Sequence, residues 1–160
     1  MEIVEHTAEK TNPWVFALNL GFFAGVIWGG VKMIAYYLKF TRVLPGFMVE
    51  PFFLHKFLRS VGGTFTGWGF FILFSILASL LYVWLFRKAK GPYPGIVYGL
   101  AWWAIWFLFA GPLCGMVKPV IEWDVDSVVT EICLFTLWGL FIGYTINYEF
   151  TEERAGERAS

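Results

Sequence analysis

Charge is scarce in this sequence. Only 15% of its 160 residues are charged, while 58% are hydrophobic and 21% aromatic; a soluble domain carries about 25% charge. A soluble domain of this length withdraws only about 70% of its surface from water. That is too little to hide so many Phe and Trp side chains, so the excess is expected to face lipid. A basic surplus is also missing, since twelve Lys and Arg balance twelve Asp and Glu. No basic stripe of the kind nucleic acid requires is present. Cysteine is nearly absent. Cys114 and Cys133 have no Cys or His cluster around them, which argues against a disulfide or zinc site, and both read as buried thiols packing as small hydrophobes.

Catalytic signatures are lacking as well. There is no His-Glu-x-x-His, no Gly-x-Ser-x-Gly, no phosphate-binding loop and no intramembrane pair of Asp residues. His6 and His55 stand alone, and Glu122-x-Asp124-x-Asp126 lacks a full ligand set and reads as a solvated loop. The chain is therefore read as a non-enzyme, with no catalytic residue, cofactor or metal. Glu2, Glu5 and Glu9 outweigh Lys10 at the N-terminus, unlike the basic start of a cleavable signal, so the first apolar stretch is expected to remain as an anchor.

What the sequence does contain is long apolar runs. A bilayer core of ~30 Å takes about 20 helical residues to cross. Four stretches meet that length, at about 13–38, 64–86, 93–117 and 126–148. Barrel strands would alternate apolar and polar side chains, but Phe70-Phe71-Ile72-Leu73-Phe74 does not alternate. Helices are the remaining way to satisfy a backbone in lipid. The expected fold is all-α, a polytopic integral membrane protein with a four-helix transmembrane bundle. A polar N-terminal tail (1–12) precedes the transmembrane domain (13–148), and a polar C-terminal tail (149–160) follows it.

Pro13 suits a helix start, and Asp126 or Ser127 suits an N-cap of the fourth span. Pro112, inside the third span, cannot donate to Leu108 and predicts a kink. Tyr and Trp residues gather near the expected span ends, as interfacial belts do; Trp28, Trp68, Trp102, Trp103, Trp106 and Trp138 lie deeper and read as packing residues. Between the first two spans, residues 51–61 put Phe53, Leu54, Phe57, Leu58 and Val61 on one face and His55, Lys56 and Arg59 on the other. This pattern suits a short interfacial amphipathic helix with those three side chains at lipid headgroups, or alternatively an extension of the second span.

Glycines four apart mark every span. Gly21, Gly25 and Gly29 lie in the first, Gly63 and Gly67 at the second, Gly95, Gly99, Gly111 and Gly115 in the third, and Gly139 and Gly143 in the fourth. Small residues at this spacing let helix backbones approach closely, either within one chain or against a partner chain.

Charges within spans are costly and mark candidate sites. Lys32 lies late in the first span and Glu131 early in the fourth. Antiparallel spans would bring both to similar depth, so they form an intramembrane ion pair or, alternatively, Lys32 snorkels to the interface. Asn19, Thr145 and Asn147 lie toward the opposite face and could hydrogen-bond between the first and last spans. Lys and Arg divide almost evenly between the two sides. The compact Arg87-Lys88-Ala89-Lys90 cluster tilts the reading toward cytoplasmic termini.

Asn19-Leu20-Gly21-Phe22-Phe23-Ala24-Gly25, Tyr36-Tyr37-Leu38-Lys39-Phe40-Thr41 and Gly67-Trp68-Gly69, together with length and layout, resemble the YqhR family of bacterial membrane proteins. The resemblance implies a multi-pass protein of the bacterial cytoplasmic membrane and carries over no functional residue. Two functions follow from the residues themselves. One is a non-enzymatic assembly or scaffold component, a homo-oligomer or a partner of another membrane protein. The other is a small-solute or ion transporter or channel component built around Lys32, Glu131, Asn19 and Pro112. A weaker third is lipid chemistry at His55, Lys56 and Arg59.

Overall fold

A computed structural model describes residues 12–159. Helix α1 spans Pro13–Tyr37, α2 is the single turn His55–Leu58, α3 spans Val61–Phe86 and α4 spans Tyr93–Ala104. A π-helical segment, Ile105–Ala110, carries α4 into the short α5, Gly111–Cys114, and α6 runs Val125–Ala159. With Tyr93–Cys114 taken as one unit, four helices are long and apolar enough to cross a membrane, and no strand occurs among the described residues. The chain is an all-α, four-span membrane protein. Its outward-facing Phe, Leu, Ile and Val side chains are the lipid contact that the composition demands.

Local chemistry sets the helix ends. Asn12 caps α1 by accepting from the Trp14 N–H at 3.1 Å, ahead of Pro13. Ser60 caps α3 by accepting from the Gly63 N–H at 3.2 Å. At α6 the cap is Asp124, which accepts from the Ser127 N–H at 3.3 Å; the helix therefore opens earlier than an Asp126 or Ser127 cap would allow.

Helix α1 closes with two bonds, Phe40 N–H to Ala35 O at 2.9 Å and Lys39 N–H to Tyr36 O at 3.1 Å, the Schellman pattern. Its left-handed position holds Lys39 at φ 65°, where a Cβ costs roughly 1–2 kcal/mol. Lys39→Gly is therefore expected to stabilise the protein by about 1 kcal/mol, read as a raised unfolding temperature in detergent.

At the expected Pro112 kink the helical register changes. The Gly111 N–H reaches back five residues to Trp106 O, so the third span widens into a π turn just before the proline. Shifting the register is one way a helix accommodates the donor that proline lacks.

Helix α1 packs along α3, α4 packs along α6, and α1 meets α6 to join the two pairs. Glycines make both close contacts. A Cβ on Gly21 would stand 2.6 Å from Ile76 Cα, and one on Gly25 would stand 2.6 Å from Ile72 Cα. Gly29 lies against the Trp68 indole, and Gly95 and Gly99 mesh with Gly139 and Gly143. Gly63 fits under the Phe57–Leu58 turn, Gly67 fits against Gly46, and Gly111 fits against Trp106 O. Gly115 does not pack at all. No atom lies within 4 Å of its Cβ position, and it serves as the left-handed cap of α5 at φ 69°.

The deep aromatics fill the centre. Trp138 is buried, stacks on Phe74 with ring centroids 5.5 Å apart and donates to Ser75 Oγ at 2.9 Å. That hydrogen bond ties α3 to α6.

Several boundaries differ from expectation. Residues 51–61 form only the α2 turn, because the Ser60 cap restarts the helix at Val61; the segment is neither a full amphipathic helix nor a continuation of α3. The fourth helix does not end at 148 but runs on through the polar stretch to Ala159. Cys114 and Cys133, expected inside, are exposed.

Candidate functional site

Lys32 and Glu131 meet near the ends of α1 and α6 that face away from the termini. Lys32 Nζ lies 2.6 Å from both carboxylate oxygens of Glu131, and the two residues are 4% and 0% exposed. The Thr41 hydroxyl donates to Glu131 Oε1 at 2.8 Å. Aromatic faces close the remaining side of the ammonium, with the Phe47 centroid 5.1 Å and the Phe107 centroid 5.9 Å from Nζ. Each charge thus has its opposite, and the carboxylate also accepts a hydroxyl. This matters because an unpaired charge in a dry interior costs several kcal/mol.

Two irregular segments converge on the pair. The first is the connection after α1, in which Thr41 and Val43–Val49 are buried while Arg42 points out. A buried loop must place its backbone polar groups. Here the Arg42 N–H donates to Ser127 Oγ at 2.9 Å, the Val43 N–H to Thr41 Oγ1 at 3.2 Å, and the Phe40 carbonyl accepts from Thr130 Oγ1 at 3.1 Å. Ser127, Thr130 and Glu131 lie one helical turn apart on α6, so a single face of that helix anchors the loop. The second is the π segment, which supplies Trp106 and Phe107. Their centroids lie 6.0 and 5.0 Å from that of Phe47. Non-helical backbone at membrane depth survives only where protein or a cavity surrounds it, and π turns recur at functional sites.

Above the pair a cavity of about 450 Å³ opens on the face opposite the termini. Phe47 contributes to its wall, and Arg42, Arg59, Lys118, Glu50, Glu122 and Asp124 bring charge to it, with His55 beside Glu50. Arg42 Nε sits 3.2 Å from Asp124 Oδ1, and His55 Nδ1 sits 2.6 Å from Glu50 Oε1. Desolvation, the largest single influence, opposes ionisation of Asp124. Hydrogen bonds from backbone N–H groups and the Ser127 hydroxyl, with Arg42 alongside, outweigh it and hold the carboxyl below its ordinary value.

The polar groups toward the terminal side do not form the expected set. Asn19 is exposed on the outer face of α1. Thr145 bonds back to Phe141 O at 2.6 Å within its own helix. Asn147 does cross between elements, but toward α3, donating to Tyr82 Oη at 3.0 Å and Gly91 O at 2.9 Å. His55, Lys56 and Arg59 are all exposed on or beside the α2 turn. Thr41, Phe47 and Phe107 were not legible as site residues. Thr41 sits within a stretch that carries the family resemblance, but loop residues have no periodicity to mark them.

Fold and site together define a polytopic helical membrane protein with a buried charge pair. The sequence matches the family described as "Conserved membrane protein YqhR" over residues 5–160, and the chain belongs to that family. It is similar to the "Uncharacterized protein YqhR" of Bacillus subtilis (strain 168), with 36% identity over 152 residues covering 92% of this chain and 85% of the relative. No solved structure matches it.

Proposed function

We propose that the chain is a non-enzymatic transport or channel component, which admits a charged ligand to the loop-face cavity and couples it to the Lys32–Glu131 pair through Phe47. The observation that carries this reading is the double position of Phe47. Phe47 is among the residues lining the cavity, and its ring faces the Lys32 ammonium, so one residue stands between an open polar pocket and a buried charge. With both termini taken as cytoplasmic, on the Arg87-Lys88-Ala89-Lys90 cluster, the pocket opens to the exterior. An assembly role is the competing reading. It would need a surface other than the glycine strips, which are taken up by contacts inside the chain.

Access tests the proposal. In a Cys114→Ser, Cys133→Ser background, Thr41→Cys is expected to react slowly with a water-soluble methanethiosulfonate reagent. Adding Phe47→Ala should speed the reaction sharply, because the thiol lies beside Glu131, whose partner Lys32 faces the Phe47 ring. Equal, negligible rates with and without Phe47 would show that the pocket does not lead to the pair.

A further inference from the structure

At the loop-face cavity, positive charge, an open volume and strongly exposed apolar side chains coincide. Of its charged lining residues, Arg42 is paired with Asp124 and His55 with Glu50. Arg59 and Lys118 line the same cavity and take part in no ion pair among the described residues. They come from opposite sides, Arg59 from the end of the α2 turn and Lys118 from the connection between α5 and α6. Two cations facing one volume from separate elements form a cradle for an anionic group; Glu122 opposes them, as does Glu50 where His55 is neutral.

The segments flanking the cavity carry some of the most exposed apolar side chains in the chain. Phe52 is 77% and Leu54 81% exposed on one side, and Leu113 is 83% and Ile121 95% exposed on the other. In a membrane protein such side chains enter the acyl boundary, while the adjacent cations stay at headgroup level. The mouth of the cavity therefore lies at the lipid–water boundary, where a ligand with an anionic head and an apolar body is already concentrated.

From this juxtaposition we infer that the cavity binds the phosphate-bearing headgroup of an anionic phospholipid, with Arg59 and Lys118 holding the phosphate and the acyl chains lying along Phe52, Leu54 and Ile121. This rests on the reading that the cavity is the working site and names its ligand chemistry. Trp123, which also lines the cavity and donates its indole N–H to Lys118 O at 2.9 Å, fixes the backbone that presents Lys118.

Native mass spectrometry of the full chain in detergent tests the assignment, with phosphatidylglycerol, phosphatidylcholine and inorganic phosphate as separate probes. Phosphatidylglycerol is expected to be retained over phosphatidylcholine by on the order of ten-fold or more, as two cations facing one headgroup imply. Arg59→Gln with Lys118→Gln should abolish the preference without lowering the unfolding temperature. Lys56→Gln, which removes a neighbouring cation outside the cavity, should leave it intact. A double variant that keeps the preference, or a Lys56 variant that loses it equally, would overturn the site in favour of diffuse surface charge. Displacement of the lipid by millimolar inorganic phosphate would assign the cradle to a soluble anion and overturn the lipid. The access experiment on Phe47 reads a different quantity, so failure of one does not imply failure of the other.

Discussion

Glu131→Leu is expected to destabilise the folded protein by about 3–5 kcal/mol, the cost of leaving a buried charge without its partner. The variant strands the Lys32 ammonium at 4% exposure between two aromatic rings and removes the acceptor of the Thr41 hydroxyl. Thermal unfolding in mild detergent would read the loss as a lower midpoint and a lower yield of folded protein. Lys32→Met is expected to do similar harm by stranding the carboxylate. Combining the two apolar changes should restore most of the stability, because a buried pair seldom outperforms well-packed hydrophobic side chains of similar volume. The exchange Lys32→Glu with Glu131→Lys should restore only part. Phe47 and Phe107 offer their faces to a cation arriving from α1, an interaction worth about 0.5–2 kcal/mol, and Thr41 donates toward a carboxylate arriving from α6. An exchanged pair puts each charge against the wrong surroundings. If Glu131→Leu unfolded at the same temperature as the native protein, or if neither double variant improved on the singles, the pair would have no energetic role.

The parts of this site that announce themselves in the sequence do so because lipid makes polarity conspicuous. Lys32 and Glu131 stand out against apolar runs, and antiparallel spans place them at one depth without knowledge of any contact. The spans are legible for the same reason, since about 20 apolar residues have few other uses. Phe47 is different. It sits in a connection with no periodicity, where one Phe looks like any other on an interfacial segment, and only the burial of Val43–Val49 shows that the loop turns inward. The π turn is half legible: Pro112 marks a missing donor, but whether the helix bends or widens depends on how Trp106 and Phe107 pack. Asn19 misleads because depth alone does not say which face of a helix a residue occupies. The extension of α6 to Ala159 was hidden because the hydropathy signal ends where the lipid does, whereas the helix continues past it.

Gly139→Ile is expected to abolish folded protein, for a reason that lies in the backbone rather than in side-chain packing. A Cβ at position 139 would stand 2.5 Å from the Gly99 nitrogen and 2.6 Å from the Gly95 carbonyl oxygen. Neither atom can rotate away, so α4 and α6 would have to separate along their contact. Lipid supplies no hydrophobic drive to hold the pair together once close packing is lost. Overpacking by a single methyl, Gly139→Ala, is expected to cost about 1–3 kcal/mol, and the larger isoleucine more. Gly69→Ile is the matched control, because no atom lies within 4 Å of that Cβ position and the residue is exposed; its unfolding temperature should stay near the native value. Equal behaviour of the two isoleucine variants would show that the glycine contact is not what joins α4 to α6. The contact also bears on the site, since α6 carries both Gly139 and Glu131. A displacement of α6 that relieves the clash at Gly139 moves Glu131 relative to Lys32 on α1. Gly139→Ala and Glu131→Leu should therefore combine less than additively, the first having already loosened the pair that the second removes.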